Sequence, residues 1–278
     1  MQFDKILFVY TWLHFLPYLP FSKRLAGHIE VFEESYASGG QPFSTYLLLC
    51  IEGIIEKFKR KFTDMIRLEN IEKYYGDNWV LRGINLEIEG GAFISITGSS
   101  GSGKSTLLNL IGGMDRSDKG NIIVNGENIS TYTDEQLTLY RRKKIGFIFQ
   151  FFNLLPNITV FENIVMPLLL NGSEEKDKVF EYIKRVGLEG KYKSLPYQLS
   201  GGEQQRVAIA RALIHDPDII LADEPTGSLD SETGKTIMDL IERLAQETNK
   251  TIILVTHEHY IAEYAQKMIR IKDGILYQ

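Results

Sequence analysis

Cysteine is almost absent from this chain: Cys50 is the only one in 278 residues. No internal disulfide can form, nothing points to an oxidising compartment, and a reducing interior fits. An excess of positive charge is missing as well. With 31 Lys and Arg against 36 Asp and Glu, the formal net charge is -5, which argues against a broad basic face that tracks nucleic acid. The local basic runs at Lys57 to Lys61 and Arg141 to Lys144 read as solvated helix faces. Nor is there an apolar stretch suited to spanning a bilayer, which needs roughly 20 such residues. Ile6 to Phe21 holds His14, Pro17 and Pro20, and the shorter Phe43 to Ile55 carries Glu52. A secretory leader is a poor match too, because Asp4 and a single Lys5 make a weak basic region with no clear cleavage site after it.

What is present is one sizeable α/β pattern, regular from Met65 onward. The composition shifts after the charged run Glu56 to Lys61, so we place a boundary there. Residues 1–64 form an extension of unknown role, which a true start at Met65 would leave out, and residues 65–278 form one domain. Met65 to Leu68, Ile84 to Ile88 and Asn121 to Val124 alternate as half-buried strands do, predicting a small antiparallel layer. Ala92 to Thr97, Ile219 to Ala222 and Thr251 to Thr256 are continuous apolar runs, the signature of parallel strands covered on both faces. Their ends deliver Gly98, Asp223 and His257 to one edge, where open α/β sheets bind ligands. Glu174 to Val186 and the stretch containing Ile237, Leu240, Ile241 and Leu244 show helical spacing. No internal repeat or low-complexity tract appears, and each chemical motif occurs once.

Gly98-Ser99-Ser100-Gly101-Ser102-Gly103-Lys104-Ser105-Thr106 satisfies G-x-x-x-x-G-K-[ST] between a strand and a helix beginning near Lys104. Such a loop wraps phosphate oxygens with inward backbone N–H groups, and the helix dipole adds positive potential. Lys104 is placed to reach the β- and γ-phosphates, and Ser105 to ligate magnesium. In Ile219-Ile220-Leu221-Ala222-Asp223-Glu224 a buried strand ends in two carboxylates. Successive strand side chains face opposite ways, so Asp223 can hold the magnesium shell while Glu224 orients and deprotonates the attacking water. Without the P-loop, the same segment would read equally well as a strand ending in solvated acids.

The segment from Leu199 to Leu213, opening Leu199-Ser200-Gly201-Gly202-Glu203-Gln204-Gln205-Arg206, reads as an N-cap serine before a helix with exposed backbone donors. The whole string resembles the signature of the ABC ATPase family. The resemblance runs from about Met65 to Gln278, roughly three quarters of the chain. It implies a P-loop NTPase with a RecA-like core, an antiparallel β-subdomain and an α-helical signature subdomain. It also implies an ATP-hydrolysing transporter subunit that uses ATP and Mg2+.

Further landmarks follow in the family's order. Tyr75 matches the aromatic that stacks on adenine, with Tyr74 an adjacent competitor. Gln150 matches the Q-loop glutamine that senses magnesium and links the site to a membrane partner. Asp230 matches the D-loop aspartate that crosses between protomers, and His257 the switch histidine on the γ-phosphate. His257-Glu258-His259 also leaves a metal-site reading open. Two departures are Glu203, where many relatives carry glutamine, and Phe151, where a second glutamine is common.

In this family the signature residues Ser200, Gly201, Gly202 and Glu203 act on ATP held by the other protomer. The resemblance therefore implies a dimer of two copies, and a lone copy that binds ATP but hydrolyses it poorly. Ile111 to Arg116, Arg141 to Gly146 and Phe152 to Pro156 look like the subgroup serving macrolide, lipoprotein and antimicrobial-peptide systems. That subgroup pairs with a separately encoded permease, placing the chain peripherally on the cytoplasmic face of the plasma membrane. Phe151 to Gly172 is then the expected docking segment for the permease's coupling helix. The rival is an ABC-type ATPase acting on DNA or in cell division, which would normally insert long coiled-coil or zinc-bearing segments between P-loop and signature. No such insertion is seen here.

Overall fold

The computed structural model describes residues 66–277. The extension 1–64, with Cys50, the two apolar runs, the basic run at 57–61 and the boundary at Met65, lies outside the described residues. The first half runs β1 (Ile66–Tyr75), β2 (Asn78–Ile88), β3 (Phe93–Thr97), α1 (Lys104–Ile111), β4 (Lys119–Val124), β5 (Glu127–Asn128), α2 (Asp134–Lys144) and β6 (Ile145–Phe149). It is followed by α3 (Val160–Leu170), α4 (Lys176–Arg185), α5 (Gly201–Leu213), β7 (Ile219–Asp223), α6 (Ser231–Thr248), β8 (Thr251–Thr256), α7 (His259–Ala262), β9 (Lys267–Lys272) and β10 (Ile275–Tyr277).

These strands build two sheets. The expected antiparallel layer is present, in the order β2-β1-β4-β5, with Ile66 opposite both Ile88 and Val124. The second sheet has the order β10-β9-β3-β8-β7-β6. All its pairings are parallel except β9 with β10. The three apolar runs are its neighbouring central strands, β3, β8 and β7. Sequence patterning missed their flanks: β6 beside β7, and β9 beside β3.

Period two explains why the central strands read as unbroken apolar runs. In β7, Ile219 and Leu221 enter one core cluster and Ile220 and Ala222 the other; in β8, Ile253 and Val255 oppose Ile252 and Leu254. One cluster joins the parallel sheet to α1, α2 and the antiparallel sheet; the other joins it to α3, α4, α5 and α6. A strand covered on both faces has no polar face to alternate with. Each fully buried Ile or Leu contributes about 1.5–3 kcal/mol, so these two clusters hold the strand ends, and whatever they carry, in fixed relative positions.

Candidate active site

The register brings the chemical residues to one edge. Thr97 pairs with Thr256, Asp223 with Val255, and Phe149 with Asp223, so the segments starting at Gly98, Glu224, His257 and Gln150 leave the sheet side by side. The loop between β3 and α1 is tight at both ends. A Cβ on Gly98 would lie 2.3 Å from the Ile271 carbonyl oxygen, and Gly103 has φ 103° with Leu81 only 2.7 Å from where its Cβ would sit. Only glycine fits either position. Ser99, Ser100 and Gly101 form an exposed lip, while Ser102 and Lys104 are buried. The Ser102 hydroxyl has no hydrogen-bond partner. Lys104 Nζ donates to the carbonyls of Gly98 and Ser99, each at 3.0 Å. Both acceptors are neutral oxygens, and the Asp223 carboxylate, near enough to feel this charge, forms no ion pair with it; a buried ammonium so placed at the N-terminus of α1 suits a phosphate.

Asp223 continues the face of Ile219 and Leu221, toward α1, and there accepts a hydrogen bond from Ser105 Oγ at 3.0 Å. Burial pushes its carboxyl above the usual range; the Ser105 hydrogen bond opposes that, and the neighbouring Glu224 charge reinforces it. One hydroxyl and one carboxylate are hard oxygen donors, and the pair would suit a small hard cation such as Mg2+. Glu224 takes a left-handed backbone, φ 46°, costly for a residue with a Cβ. Its N–H donates to the Val255 carbonyl at 2.9 Å and its carbonyl accepts from Gly227 N–H at 3.0 Å. The turn aims the carboxylate at His257, whose Nδ1 lies 3.0 Å from Oε2.

Among the described residues no group of His, Cys, Asp and Glu gathers to hold a metal. His259 pairs instead with Glu263 at 3.1 Å, which leaves the His257-Glu258-His259 metal reading without geometry. The Gln150 side chain comes close to Glu224 at Gly227. Its amide nitrogen would be 2.9 Å from a Cβ at Gly227, and Glu224 Oε2 3.4 Å from the same point. Ser228 Oγ donates to the Gln150 carbonyl at 2.7 Å.

The signature residues form a second cluster. Ser200 caps α5: its Oγ accepts from Glu203 N–H at 3.3 Å, and Glu203 Oε2 accepts from Ser200 N–H at 2.8 Å, a reciprocal capping box. Glutamate does this as well as the usual glutamine. Gly202 packs against α6, a Cβ there falling 2.6 Å from Thr233, and Gly201 faces Leu229. Asp230 caps α6 through Thr233 N–H at 2.9 Å. At the far end of β1, Tyr75 is exposed; its hydroxyl donates to Asp115 at 2.6 Å and lies beside Thr106 of the loop. Tyr74 is engaged elsewhere, stacked on Trp79 and donating to Glu72 at 2.7 Å.

Sequence reasoning gave no role to Asp115, Gln205 or Arg211. Arg211 donates to the carbonyls of Asn153 and Phe152 at 2.7 and 2.8 Å, holding a bend in which both residues have positive φ. Gln205 falls on the helix face shared with Gly202, Ile209 and Ala212, and a polar residue on an apolar face was the available signal.

Fold and loop together define a P-loop nucleotide-binding domain. A family model described as "ABC transporter" matches residues 81–227. The chain is 46% identical over 221 residues to the uncharacterized ABC transporter ATP-binding protein MJ0796 of Methanocaldococcus jannaschii, covering 76% of this chain and 94% of that protein. It is 42% identical over 214 residues to the lipoprotein-releasing system ATP-binding protein LolD of Aquifex aeolicus, covering 76% and 95%. A solved dimeric structure of the MJ0796 cassette, in a post-hydrolysis state bound to ADP and Pi, superposes with a TM-score of 0.71 at 42% identity, covering 77% of this chain and 97% of that one. The chain belongs to the ABC transporter family, as an ATP-binding, ATP-hydrolysing cassette.

Proposed function

We propose that this cassette hydrolyses ATP at sites completed by a second copy of itself and drives a separately encoded membrane permease. The observation that carries the proposal is the meeting, at one sheet edge, of the P-loop lysine, the Ser105–Asp223 pair and the Glu224–His257 pair. In this reading Gly98 to Thr106 cradle the phosphates, Lys104 neutralises charge on the β- and γ-groups, and Tyr75 stacks on adenine. Ser105, Asp223 and Gln150 would hold Mg2+, which when bound would neutralise charge developing on the phosphates. Glu224 orients the water and takes its proton, and His257 contacts the γ-phosphate. Ser200, Gly201, Gly202 and Glu203 serve the nucleotide of the partner copy, and Asp230 crosses between copies.

Capping is consistent with a lone copy that folds yet hydrolyses ATP slowly. Ser200 and Asp230 spend their side chains within their own helices, and in this reading the donors of α5 outside the capping box, on Gly201 and Gly202, would serve the phosphate of the partner copy's nucleotide. Removing one preorganised donor from such a site costs about a hundredfold to a thousandfold in rate, which sets the scale expected for losing the partner copy. MJ0796 is dimeric and carries ADP and Pi in its solved structure, which supports both the pairing and the reaction here.

The permease would dock on the segment 151–172, where Phe151 is 72% exposed and Leu155, Leu169 and Leu170 are also exposed. Among the described residues no helix is long and apolar enough to cross a membrane; the cassette would reach the cytoplasmic face through that partner. Likeness to a lipoprotein-releasing protein, together with the Ile111 to Arg116 and Phe152 to Pro156 motifs, supports the macrolide, lipoprotein and antimicrobial-peptide subgroup. The test is Glu224→Gln: it should abolish turnover while trapping an ATP-dependent dimer on gel filtration. A variant that stays monomeric at saturating ATP would refute the assignment of the base.

A further inference from the structure

The polypeptide on either side of Gln150 is held by side-chain hydrogen bonds to four of its carbonyls. The Phe149 carbonyl accepts from Gln205 Nε2 at 3.3 Å, Gln150 from Ser228 Oγ at 2.7 Å, and Phe152 and Asn153 from Arg211 at 2.8 and 2.7 Å. Of these donors only Gln205 also reaches the peptide next to Glu224. The same Nε2 donates to the carbonyl of Pro225 at 2.6 Å. One amide thus bridges the end of β6 and the residue that follows the carboxylate assigned as base.

The grip is costly, and its cost marks it. Gln205 is fully buried and its Oε1 has no partner, a burden of the kind proteins seldom retain without a use. The orientation is fixed by chemistry, since turning the amide over would set Oε1 against two carbonyl oxygens. Pro225 has no N–H of its own, so the turn after Glu224 lacks one backbone donor. The left-handed Glu224 is held from the β8 side by Val255 and from within the turn by Gly227; Gln205 supplies the hold from the helical side.

We infer that Gln205 is a positioning residue for ATP hydrolysis: it sets the turn carrying Glu224 against the strand end carrying Gln150, so that a shift of that strand end or of α5 is felt at the carboxylate. The inference rests on the reading of Glu224 as base, and nothing in the signature's role toward the partner nucleotide requires it.

The test uses the full-length chain with Gln205→Met, which keeps length and loses the donor, and Gln205→Asn, which keeps a buried amide but withdraws it beyond reach. Turnover at saturating Mg-ATP should fall by about tenfold to a hundredfold, the scale of a displacement near 1 Å. Affinity for a fluorescent ATP analogue should stay within about twofold, a split between kcat and binding that a general loosening of the nucleotide site would not give. Added to Glu224→Gln, Gln205→Met should leave the ATP-dependent dimer intact. Wild-type turnover in a folded variant, a fall in affinity that matches the fall in turnover, loss of the dimer, or failure of both variants to fold would each overturn the inference. Glu224→Gln alone separates the two ideas: if it still turns over ATP, the base is wrongly assigned, whereas an inactive Glu224→Gln beside a fully active Gln205→Met removes only the positioning role.

Discussion

Ser105 donates its hydroxyl to Asp223 at 3.0 Å, so the first turn of α1 touches the last residue of β7 and closes the distance between the phosphate loop and the carboxylates. Burial holds the Asp223 carboxyl above its ordinary range, which means that its charge is kept in place at a cost. Asp223→Asn should therefore lose about a hundredfold or more in Mg-dependent ATP turnover. Its thermal midpoint without nucleotide should equal or exceed that of the parent, because a desolvated charge is removed. A midpoint several degrees lower would show that the carboxylate is structural.

The two glycines of the loop separate steric need from backbone freedom. Gly98→Ala forces a Cβ to 2.3 Å from the Ile271 carbonyl, whereas a Cβ at Gly101, at φ 76°, meets nothing within 4 Å. Overpacking at Gly98 should cost about 1–3 kcal/mol or more. At Gly101 only the left-handed backbone is penalised, at about 1 kcal/mol. Urea denaturation of the two variants measures the difference, and equal midpoints would contradict the packing described for Gly98.

Acid should act on α5 through Glu203. The Ser200 N–H bound to its carboxylate, assisted by Ser200 Oγ and Lys191, holds its pKa below the usual carboxylate range. A carboxyl lowered on folding stabilises the protein above its unfolded pKa, near 4, and that contribution disappears as pH falls through the lower folded value. Glu203→Gln keeps the capping box without titrating and gives up an ion pair with Lys191 worth about 0.2–1 kcal/mol. Thermal midpoints of the two proteins should nearly coincide at pH 7, with the variant declining less between about pH 5 and pH 2. Parallel declines would mean that this cap does not contribute to acid sensitivity.

Tyr75 and Tyr74 should part company in nucleotide binding. Stacking of a base on an aromatic ring is worth about 1–3 kcal/mol, so Tyr75→Ala should weaken ATP binding roughly tenfold or more. Tyr74→Ala, which breaks the stack on Trp79, should lower stability and leave affinity nearly unchanged. Equilibrium titration with a fluorescent ATP analogue decides it, and the reverse ranking would hand the adenine platform to Tyr74.

Legibility followed burial. β3, β7 and β8 could be read because strands covered on both faces leave continuous apolar runs. β6 could not, since Ile145 is at once the C-cap of α2 and the first residue of the strand, with no turn residue to mark the change. α3 was masked by Pro167 inside it, a residue that usually ends a helix. β9 did alternate, with Ile269 and Ile271 buried between exposed neighbours, but six residues near a chain end form a weak pattern.

The order of residues alone determined the phosphate loop, the paired carboxylates, the capped signature helix and the family, because each is a local pattern in which neighbouring side chains and backbone must act together. Tertiary structure alone decided that β6 lies beside β7, that Ser105 meets Asp223, that His257 faces Glu224, and that Gln205 bridges two loops. Those pairings join residues 20 to 118 positions apart. Only the packing of two cores against one sheet brings them within hydrogen-bonding distance.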